Sequence, residues 1–578
     1  MKPKYSFMKV LFIILIILNV SVNCEKGEDR GAYLKTPDAS KLEYRLGNGM
    51  GGGFDSTWKD DDIRQLMQYA GVDGQRKKFR EDLFELWGYG QELGVCEDNE
   101  KHGVLDVVGY LSKPSKPHSS NETDNSELCY PDHLYEPIWL PNGEVNPNNY
   151  WANFVYKTVN TYKKYIKIWE TWNEPDYVKY GVDTSAWKTS PPNKKDLVYW
   201  NGSIFQYIRL LRITYEVAKK VDPDCWVATG GLGYAYFLDS IMRYTDNPDN
   251  GKITDEFPAY GGAYFDCDCF HKYPQWGAYD AEHDVDYYGK GSDLLAKTIG
   301  IMKNSHHYII KKYGFGSKYP DKIFVNTETG VNSVEKDGIG GDFVRRNWII
   351  KSALYNLEYD VKQVHQLNFV DGNNGGFGDY ENIGSFVSLE EGYKHLKSSS
   401  KGRIILKRMN LGKYIFEKEK TEKFRKSLPK GVTGIVLKRK FPKVENEEFY
   451  YGYMYSAWLE SNEVENNGEI ETELDIPFDP LILDWEGKKE QLNKDSKFKL
   501  TSTPIFLLGD INNDENKDEN KDENNEENKG ISGVATFFIV LTCIIVLIIL
   551  VFVGLYLYKR FVKKQYIPID KHLFKALI

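Results

Sequence analysis

Two acidic residues in this sequence each stand at the end of a run that reads as a β-strand. The first is Glu174, within Trp169–Asp176, which reads WETWNEPD. Aromatic and β-branched residues favour a strand, and Pro175 ends it because proline cannot donate to a ladder. The second is Glu328, within Lys322–Gly330, which reads KIFVNTETG. Taken singly, each acid also fits an ordinary surface loop, but two carboxyl groups brought together can cleave a glycosidic bond.

The elements that must position this pair alternate between strand and helix along the body of the chain. Between residues 40 and 400 about eight strand-like runs are each followed by a helix or a loop. Such alternation predicts a parallel sheet, and eight units predict an α/β fold of the (β/α)8, or TIM, barrel type. Glu174 then ends strand four and Glu328 ends strand seven, on the same rim. An open doubly wound sheet is the alternative, although no Gly-x-Gly-x-x-Gly loop follows the first strand.

The chain changes character after the barrel. Residues 420–508 hold short strand-like runs separated by turns, which predicts an antiparallel β-sandwich, with a strand from residues 32–44 as a possible addition. Residues 510–530 are nearly all Asp, Glu, Asn and Lys and predict a solvated stalk without a core.

Both ends of the chain carry apolar segments that predict a type I membrane protein. Residues 1–24 place three lysines before an apolar run, as in a signal peptide. Residues 534–558 contain no formal charge and are long enough to span a bilayer, and the lysines and arginine at the start of the tail, residues 559–578, predict a cytosolic end. We therefore expect a glycosylated ectodomain outside the cell or in a lumen, anchored in the plasma membrane or an endolysosomal membrane. Asn121 and Asn201 are the predicted glycosylation acceptors.

Composition excludes one class of partner. The 578 residues carry a formal net charge of −9, which argues against nucleic-acid binding. Aromatic residues reach 14%, and their faces suit sugar rings as well as protein cores. The sequence shows no need for a metal or an organic cofactor, and it leaves the oligomeric state open.

The sequence of the strand-four segment resembles that of clan A retaining glycoside hydrolases. Residues Glu170–Asp176 are most similar to glycoside hydrolase family 39, which includes β-xylosidases and α-L-iduronidases and also pairs its barrel with a β-sandwich. The resemblance covers roughly residues 40–508. It implies that Glu174 is the general acid/base and Glu328 the nucleophile. It also implies that Asn173 hydrogen-bonds the sugar hydroxyl beside the anomeric carbon.

Four further residues are candidates for contacts in the pocket. The segment Phe270–Pro274 resembles the clan's His-x-Tyr pattern, so His271 or Tyr273 is expected to hydrogen-bond the nucleophile, although either also fits rim packing. Arg76, placed at the end of strand two, is expected to keep the nucleophile ionised. Trp172 offers a stacking face for a sugar, with a structural role as the alternative.

The substrate stays open at this level. An iduronidase must bind a sugar carboxylate, and Lys272 is the only nearby base on strand six, where its position between His271 and Tyr273 can turn it away from the pocket. A pentosidase or hexosidase fits equally well. Two other functions use the same scaffold: an inactive carbohydrate-binding or adhesion receptor, and a transglycosylase.

Overall fold

The computed structural model describes residues 36–48, 60–105, 107–121, 129–367, 369–371, 382–387 and 392–511. The predicted signal peptide, membrane segment and cytosolic tail lie outside the described residues, as does the predicted stalk apart from Asp510 and Ile511. Within the part that is described, no helix combines the length and the apolar character needed to cross a membrane.

Helices and strands alternate through the first two thirds of the described chain, and strands dominate after that. The helices are α1 Asp60–Tyr69, α2 Glu81–Trp87, α3 Leu93–Lys101, α4 Tyr150–Tyr162, α5 Ile204–Val221, α6 Ala235–Arg243, α7 Ser292–Lys312, α8 Asp342–Glu358, α9 Lys401–Arg408 and α10 Lys418–Ser427. The first ten strands are β1 Arg45–Asn48, β2 Gly74–Arg80, β3 Val107–Ser112, β4 Ile166–Thr171, β5 Trp226–Ala228, β6 Cys267–His271, β7 Ala278–Asp280, β8 Val285–Tyr287, β9 Ile323–Thr329 and β10 Val361–Gln366. The remaining strands are β11 Tyr414–Phe416, β12 Val432–Arg439, β13 Tyr453–Leu459, β14 Ile470–Glu473, β15 Leu481–Leu483, β16 Lys489–Gln491, β17 Lys497–Leu500 and β18 Ile505–Gly509.

Eight of the described strands close into a parallel barrel, which confirms the predicted fold class. The order around the barrel is β1, β2, β3, β4, β5, β6, β9 and β10, with β10 pairing back onto β1. The hairpin β7–β8 lies in the connection after β6. Alternate residues of the strands fill the interior with a small apolar cluster, formed by Val108, Ile168, Trp226, Ala228, Cys267, Cys269, Ile323 and Val325. The barrel is therefore a packed core that leaves its chemistry to the rim.

Local sequence sets the ends of the helices that pack around the barrel. The side chain of Ser203 accepts a hydrogen bond from the backbone N–H of Gln206, and the Gln206 side chain accepts one from the backbone of Ser203. This reciprocal capping satisfies two N–H groups that the first turn of α5 leaves without a helical partner. Asn149 caps α4 in a similar way through the N–H of Ala152.

The accessory region consists of antiparallel sheets. Its main sheet has the order β11-β12-β13-β18-β15-β16, and β14 pairs with β17 in a second, two-stranded sheet. The predicted extra strand from residues 32–44 is wrong for its described part, residues 36–44, which contain only the short 3-10 turn Ala39–Lys41. This segment is instead held to the start of the accessory region by an ion pair between Glu43 and Lys413.

A buried acid at the start of α7 joins the barrel to the accessory sheet. The carboxylate of Asp293 accepts hydrogen bonds from Lys351 Nζ at 2.6 Å and Tyr355 Oη at 2.8 Å, both on α8. From the accessory region it accepts the indole N–H of Trp458 at 2.8 Å and the backbone N–H of Ser461 at 2.9 Å. Because the acid and the lysine are both fully buried, each depends on the other for compensation of its charge.

Replacing this acid tests the junction. We expect Asp293→Ala to lower the free energy of unfolding by about 3–5 kcal/mol, because it leaves the buried Lys351 ammonium without the acid that it contacts. Urea unfolding of the purified protein measures the change. Glu422→Ala, at an exposed position of α10, is the control and should stay within about 0.5 kcal/mol of the parent. Equal effects of the two substitutions would contradict this role of Asp293.

Candidate active site

All of the predicted site residues except Trp172 converge at the C-terminal rim of the barrel, around a buried guanidinium. Arg76 donates from Nε to Glu170 Oε2 and from Nη1 to Glu328 Oε1, both at 2.6 Å, and from Nη2 to Asn173 Oδ1 at 2.7 Å. Its guanidinium carbon lies 4.1 Å from the centre of the Tyr110 ring. The predicted contact between Arg76 and Glu328 is present, although Arg76 is the third residue of the seven-residue strand β2 and does not end it.

Glu328 is held from both of its oxygens. Oε1 accepts from Arg76, and Oε2 accepts the hydroxyl of Tyr273 at 2.8 Å. Burial raises the pKa of this carboxyl, but the charges of His271 and Arg76 and the bond from Tyr273 outweigh it, so the pKa lies below its usual value. Of the two residues expected to contact Glu328, Tyr273 makes the hydrogen bond.

His271 bonds the other acid instead. Its Nδ1 lies 2.8 Å from Glu174 Oε1, compared with 3.8 Å from Glu328 Oε2. Burial lowers the pKa of His271, whereas the charge of Glu328 and the contact with Glu174 raise it more strongly, and the net pKa is above its usual value. The Glu174 side chain is 20% exposed and that of Glu328 only 7%, so Glu174 is the acid that faces solvent.

Glu170 and Thr327 belong to the same cluster, although sequence reasoning did not single them out. Thr327 Oγ1 donates to Glu170 Oε1 at 3.0 Å, and it lies 3.1 Å from Nε2 of His271. A register shift between β6 and β9 pairs Phe270 with Asn326 and then His271 with Glu328. Thr327 is the extra residue at this irregularity, which re-aims the strand end so that Thr327 and Glu328, neighbours in sequence, both contact the cluster.

The loop that carries Glu174 has a strained backbone. Trp172 and Glu174 both have positive φ, at 74° and 46°. This region is unfavourable for bulky residues and costs about 1–3 kcal/mol each time. The loop is held against the end of β5 by a 2.6 Å bond from the Glu174 N–H to the Gly230 carbonyl. A Cβ on Gly230 would lie 2.4 Å from the Thr171 carbonyl oxygen, and one on Gly231 would lie 2.2 Å from Nε2 of His271, so this approach requires glycine.

Trp172 is not placed to contact a sugar, so its predicted substrate-binding role is wrong. Only 2% of the residue is exposed, and its ring packs against Trp151 and Trp200 while its indole N–H donates to the Tyr199 carbonyl. The positive φ turns the side chain into the core and away from the rim. The stacked aromatic faces beside Glu174 belong instead to Tyr177 and Tyr199.

Tyr177 and Tyr199 form a stacked pair beside Glu174. Their ring centres are 5.0 Å apart with an angle of 17° between the planes, and the two residues are 46% and 38% exposed. The Tyr177 N–H donates to the Glu174 carbonyl at 3.2 Å, which ties the pair to the acid. Burial raises the pKa of Tyr199, and the charges of Glu174, Tyr177 and Glu328 add to this, as expected for a hydroxyl near the carboxyl pair.

Lys272 lies between His271 and Tyr273, but it is not directed at the carboxyl pair. Burial lowers its pKa to about 8, and the charge that opposes this effect is that of Asp286 on the β7–β8 hairpin. Its backbone, by contrast, is bonded to strand β9 through the Glu328 carbonyl. Lys272 is therefore a poor candidate for binding a sugar carboxylate beside Glu328.

Glu174, His271 and Glu328 offer three ligand atoms that all lie within 4.8 Å of one another. Such a set has the spacing of a metal site as well as that of an acid pair. Here both oxygens of Glu328 already accept short bonds from Arg76 and Tyr273, and a cation would have to displace these donors. The donor set therefore suits a carboxyl pair better than a cation.

Comparison with known proteins agrees with this fold. No protein-family model matches the sequence, and no curated protein matches it. Among solved structures, a family 39 glycoside hydrolase from Bacteroides cellulosilyticus WH2 is similar over 81% of this chain and 81% of its own, with 15% identity and a TM-score of 0.50. A family 30 subfamily 8 xylanase from Clostridium acetobutylicum is similar over 81% of this chain and 97% of its own, with 9% identity and a TM-score of 0.43. The chain thus shares its fold with the family 39 glycoside hydrolase, as the resemblance of the strand-four motif predicts.

Proposed function

We propose that this protein is a retaining glycosidase that hydrolyses O-glycosidic bonds with Glu328 as nucleophile and Glu174 as general acid/base. The observation that carries the proposal is the separation of at most 4.8 Å between an oxygen of Glu174 and one of Glu328. Retaining enzymes hold their carboxyl groups ~5–5.5 Å apart, whereas inverting enzymes need ~6.5–9.5 Å to admit a water between acid and base.

In the first step a Glu328 oxygen attacks the anomeric carbon of the sugar. The bond from that carbon to the leaving oxygen breaks, and Glu174 donates its proton to the leaving oxygen, which departs as an alcohol. This assignment fits the surroundings of the two acids. The lowered pKa of Glu328 keeps it ionised for attack, and Glu174 is the more exposed acid, on the side from which a leaving group departs.

In the second step Glu174 acts as a base. It takes a proton from water as the water oxygen bonds to the anomeric carbon, and the bond from that carbon to Glu328 breaks. Both acids then return to their starting states, and the two displacements together retain the configuration of the sugar. Asn173 contributes through orientation, because its amide oxygen faces the donor-only Arg76 and its NH2 end is left to donate to a sugar hydroxyl.

The sugar and its anomer are not specified by these contacts, and a transglycosylase would use the same steps with an alcohol in place of water.

We also propose a location for the protein. The 25 residues 534–558 without formal charge, followed by a basic tail, support a type I membrane protein with the barrel outside the cell or in a lumen. Surface labelling of intact cells that express a tagged protein tests this topology.

Removing either acid tests the assignment. We expect Glu328→Gln to abolish turnover of aryl glycosides, because an amide cannot attack the anomeric carbon. Glu174→Gln should lower kcat/KM by about 10²–10⁴-fold, the usual contribution of a general acid. NMR of the first-formed product by the parent enzyme should show retention. An inverted product would contradict the double displacement, and a parent protein that binds sugars but cleaves none of a broad panel would favour the receptor alternative.

The bond from Tyr273 predicts a pH effect. Because this bond helps to lower the pKa of Glu328, Tyr273→Phe should raise that pKa. Nucleophile activity is lost as pH falls through the pKa of Glu328, so the acid limb of kcat/KM should move to higher pH in the variant. The measurement is a pH profile of kcat/KM, with Tyr180→Phe as a control, since the Tyr180 ring is fully exposed in the same rim loop as Glu174. An unmoved acid limb in Tyr273→Phe would count against this role.

The stacked tyrosines predict a contact with the sugar on the leaving-group side. Tyr199→Ala should lower kcat/KM for a disaccharide two- to tenfold, corresponding to about 0.5–1.5 kcal/mol for one aromatic face. Tyr180→Ala serves as the matched control and should change it less than twofold. Circular dichroism shows whether the variant is folded. If kcat/KM falls equally for an aryl glycoside and for a disaccharide of the same sugar, and the loss matches a loss of folded protein, Tyr199 has a structural role and does not contact the sugar.

A further inference from the structure

The buried carboxylate of Glu170 has no place in the two displacement steps, although it lies in the centre of the site. It is fully buried, and each of its oxygens accepts one hydrogen bond. Oε2 accepts from Arg76, which can only donate, and Oε1 accepts from the hydroxyl of Thr327. Because the carboxylate can only accept, the single hydroxyl proton of Thr327 must point to Glu170 in this contact.

This constraint passes from Thr327 to the imidazole of His271. The Thr327 hydroxyl has given its proton to Glu170, so its oxygen can only accept at the 3.1 Å contact with Nε2 of His271. Nε2 must then carry a hydrogen. In the neutral imidazole the other nitrogen, Nδ1, is consequently an acceptor.

The partner of Nδ1 is Glu174 Oε1, at 2.8 Å. When His271 is neutral, an accepting Nδ1 requires Glu174 to be the donor and hence to carry its proton. When His271 is cationic, Glu174 is the carboxylate. The arrangement excludes the third state, in which a neutral His271 without a hydrogen on Nε2 donates from Nδ1 to an ionised Glu174, so that the pair holds one proton fewer.

We infer that Glu170 and Thr327 are positioning residues that hold a hydrogen on Nε2 of His271, so that the contact between Nδ1 and Glu174 keeps the proton that the leaving group needs. The inference deepens the proposed function and rests on it for the role of Glu174. Both residues act through His271, and neither is assigned to touch the substrate.

The surroundings of His271 agree with this role. The charged groups that face it are Glu328 and Glu174, which favour its cation, and Arg76, which opposes it. Glu170 Oε1 lies 3.9 Å from Nε2, on the far side of the threonine hydroxyl. Gly231, in the loop after β5, lies against the ring, and a Cβ at this position would come within 2.2 Å of Nε2.

The test removes the hydroxyl and keeps the shape. Thr327→Val should free the tautomer, so that neutral His271 can donate from Nδ1 to an ionised Glu174. The alkaline limb of kcat/KM should then move to lower pH. Activity on phenyl glycosides, whose leaving group needs a proton, should fall about tenfold, a part of the usual contribution of a general acid. Activity on 2,4-dinitrophenyl glycosides of the same sugar, whose leaving group departs unprotonated, should fall less than twofold.

Thr327→Ser is the matched control, because it restores the hydroxyl and should restore both the pH profile and the leaving-group dependence. Equal losses of Thr327→Val on the two substrates, with an unmoved alkaline limb, would overturn the inference and indicate a packing role. A parent enzyme that cleaves no glycoside overturns the proposed function instead.

The tautomer itself can be read without turnover. In ¹⁵N-histidine-labelled full-length protein, assigned against His271→Gln, the imidazole shifts should report a hydrogen on Nε2 in the parent and in Thr327→Ser. Thr327→Val should gain the Nδ1–H form. The same tautomer in Thr327→Val as in the parent would overturn the inference, whether or not the protein proves to be an enzyme.

Discussion

The site depends on one buried cation. Arg76 is fully buried, yet it makes short bonds to Glu170 and Asn173 of the strand-four segment and to Glu328 of β9. A guanidinium holds its N–H donors in one rigid plane, so it can bond three acceptors in a fixed arrangement, whereas the donors of an ammonium rotate. Without it Glu170 and Glu328 would be two like charges in the barrel interior, where an uncompensated charge costs several kcal/mol. The pKa of His271 is raised, so its protonated imidazole adds a further positive charge to the same cluster.

The geometry that brings Glu174 to this cluster is maintained against backbone strain. Two residues of its loop have positive φ, and the loop can approach β5 only because Gly230 and Gly231 lack side chains. An unfavourable backbone conformation of this kind persists where the contacts of the surrounding packing hold it in place. Here the buried Trp172 ring, packed between two other tryptophans, provides that packing. Trp172 therefore anchors the loop that carries Glu174 in the core, and it does not line the pocket.

The sequence was sufficient to predict the barrel and the convergence of its main site residues, because strand patterns and a specific strand-four motif carry that information. It did not reveal Thr327, whose side chain reaches the cluster through a register irregularity that only strand pairing determines. Glu170 had a readable signal, since it follows the interior residue Ile168 at the two-residue period of a strand. The substrate-binding role predicted for Trp172 was wrong, and its structural alternative holds, because the orientation of the ring depends on a backbone angle that tryptophan rarely adopts.

The last strand of the accessory sheet has a mechanical consequence. β18 lies in the interior of the sheet, between β13 and β15, and ends at Gly509, where the body of the protein meets the acidic segment that follows. Any tension on the C-terminal side of the chain therefore enters through a strand that two ladders hold at once. β13 also carries Trp458, which is bonded to the barrel through Asp293. Load on β18 is therefore passed from the accessory sheet to the barrel through the bond between Trp458 and Asp293.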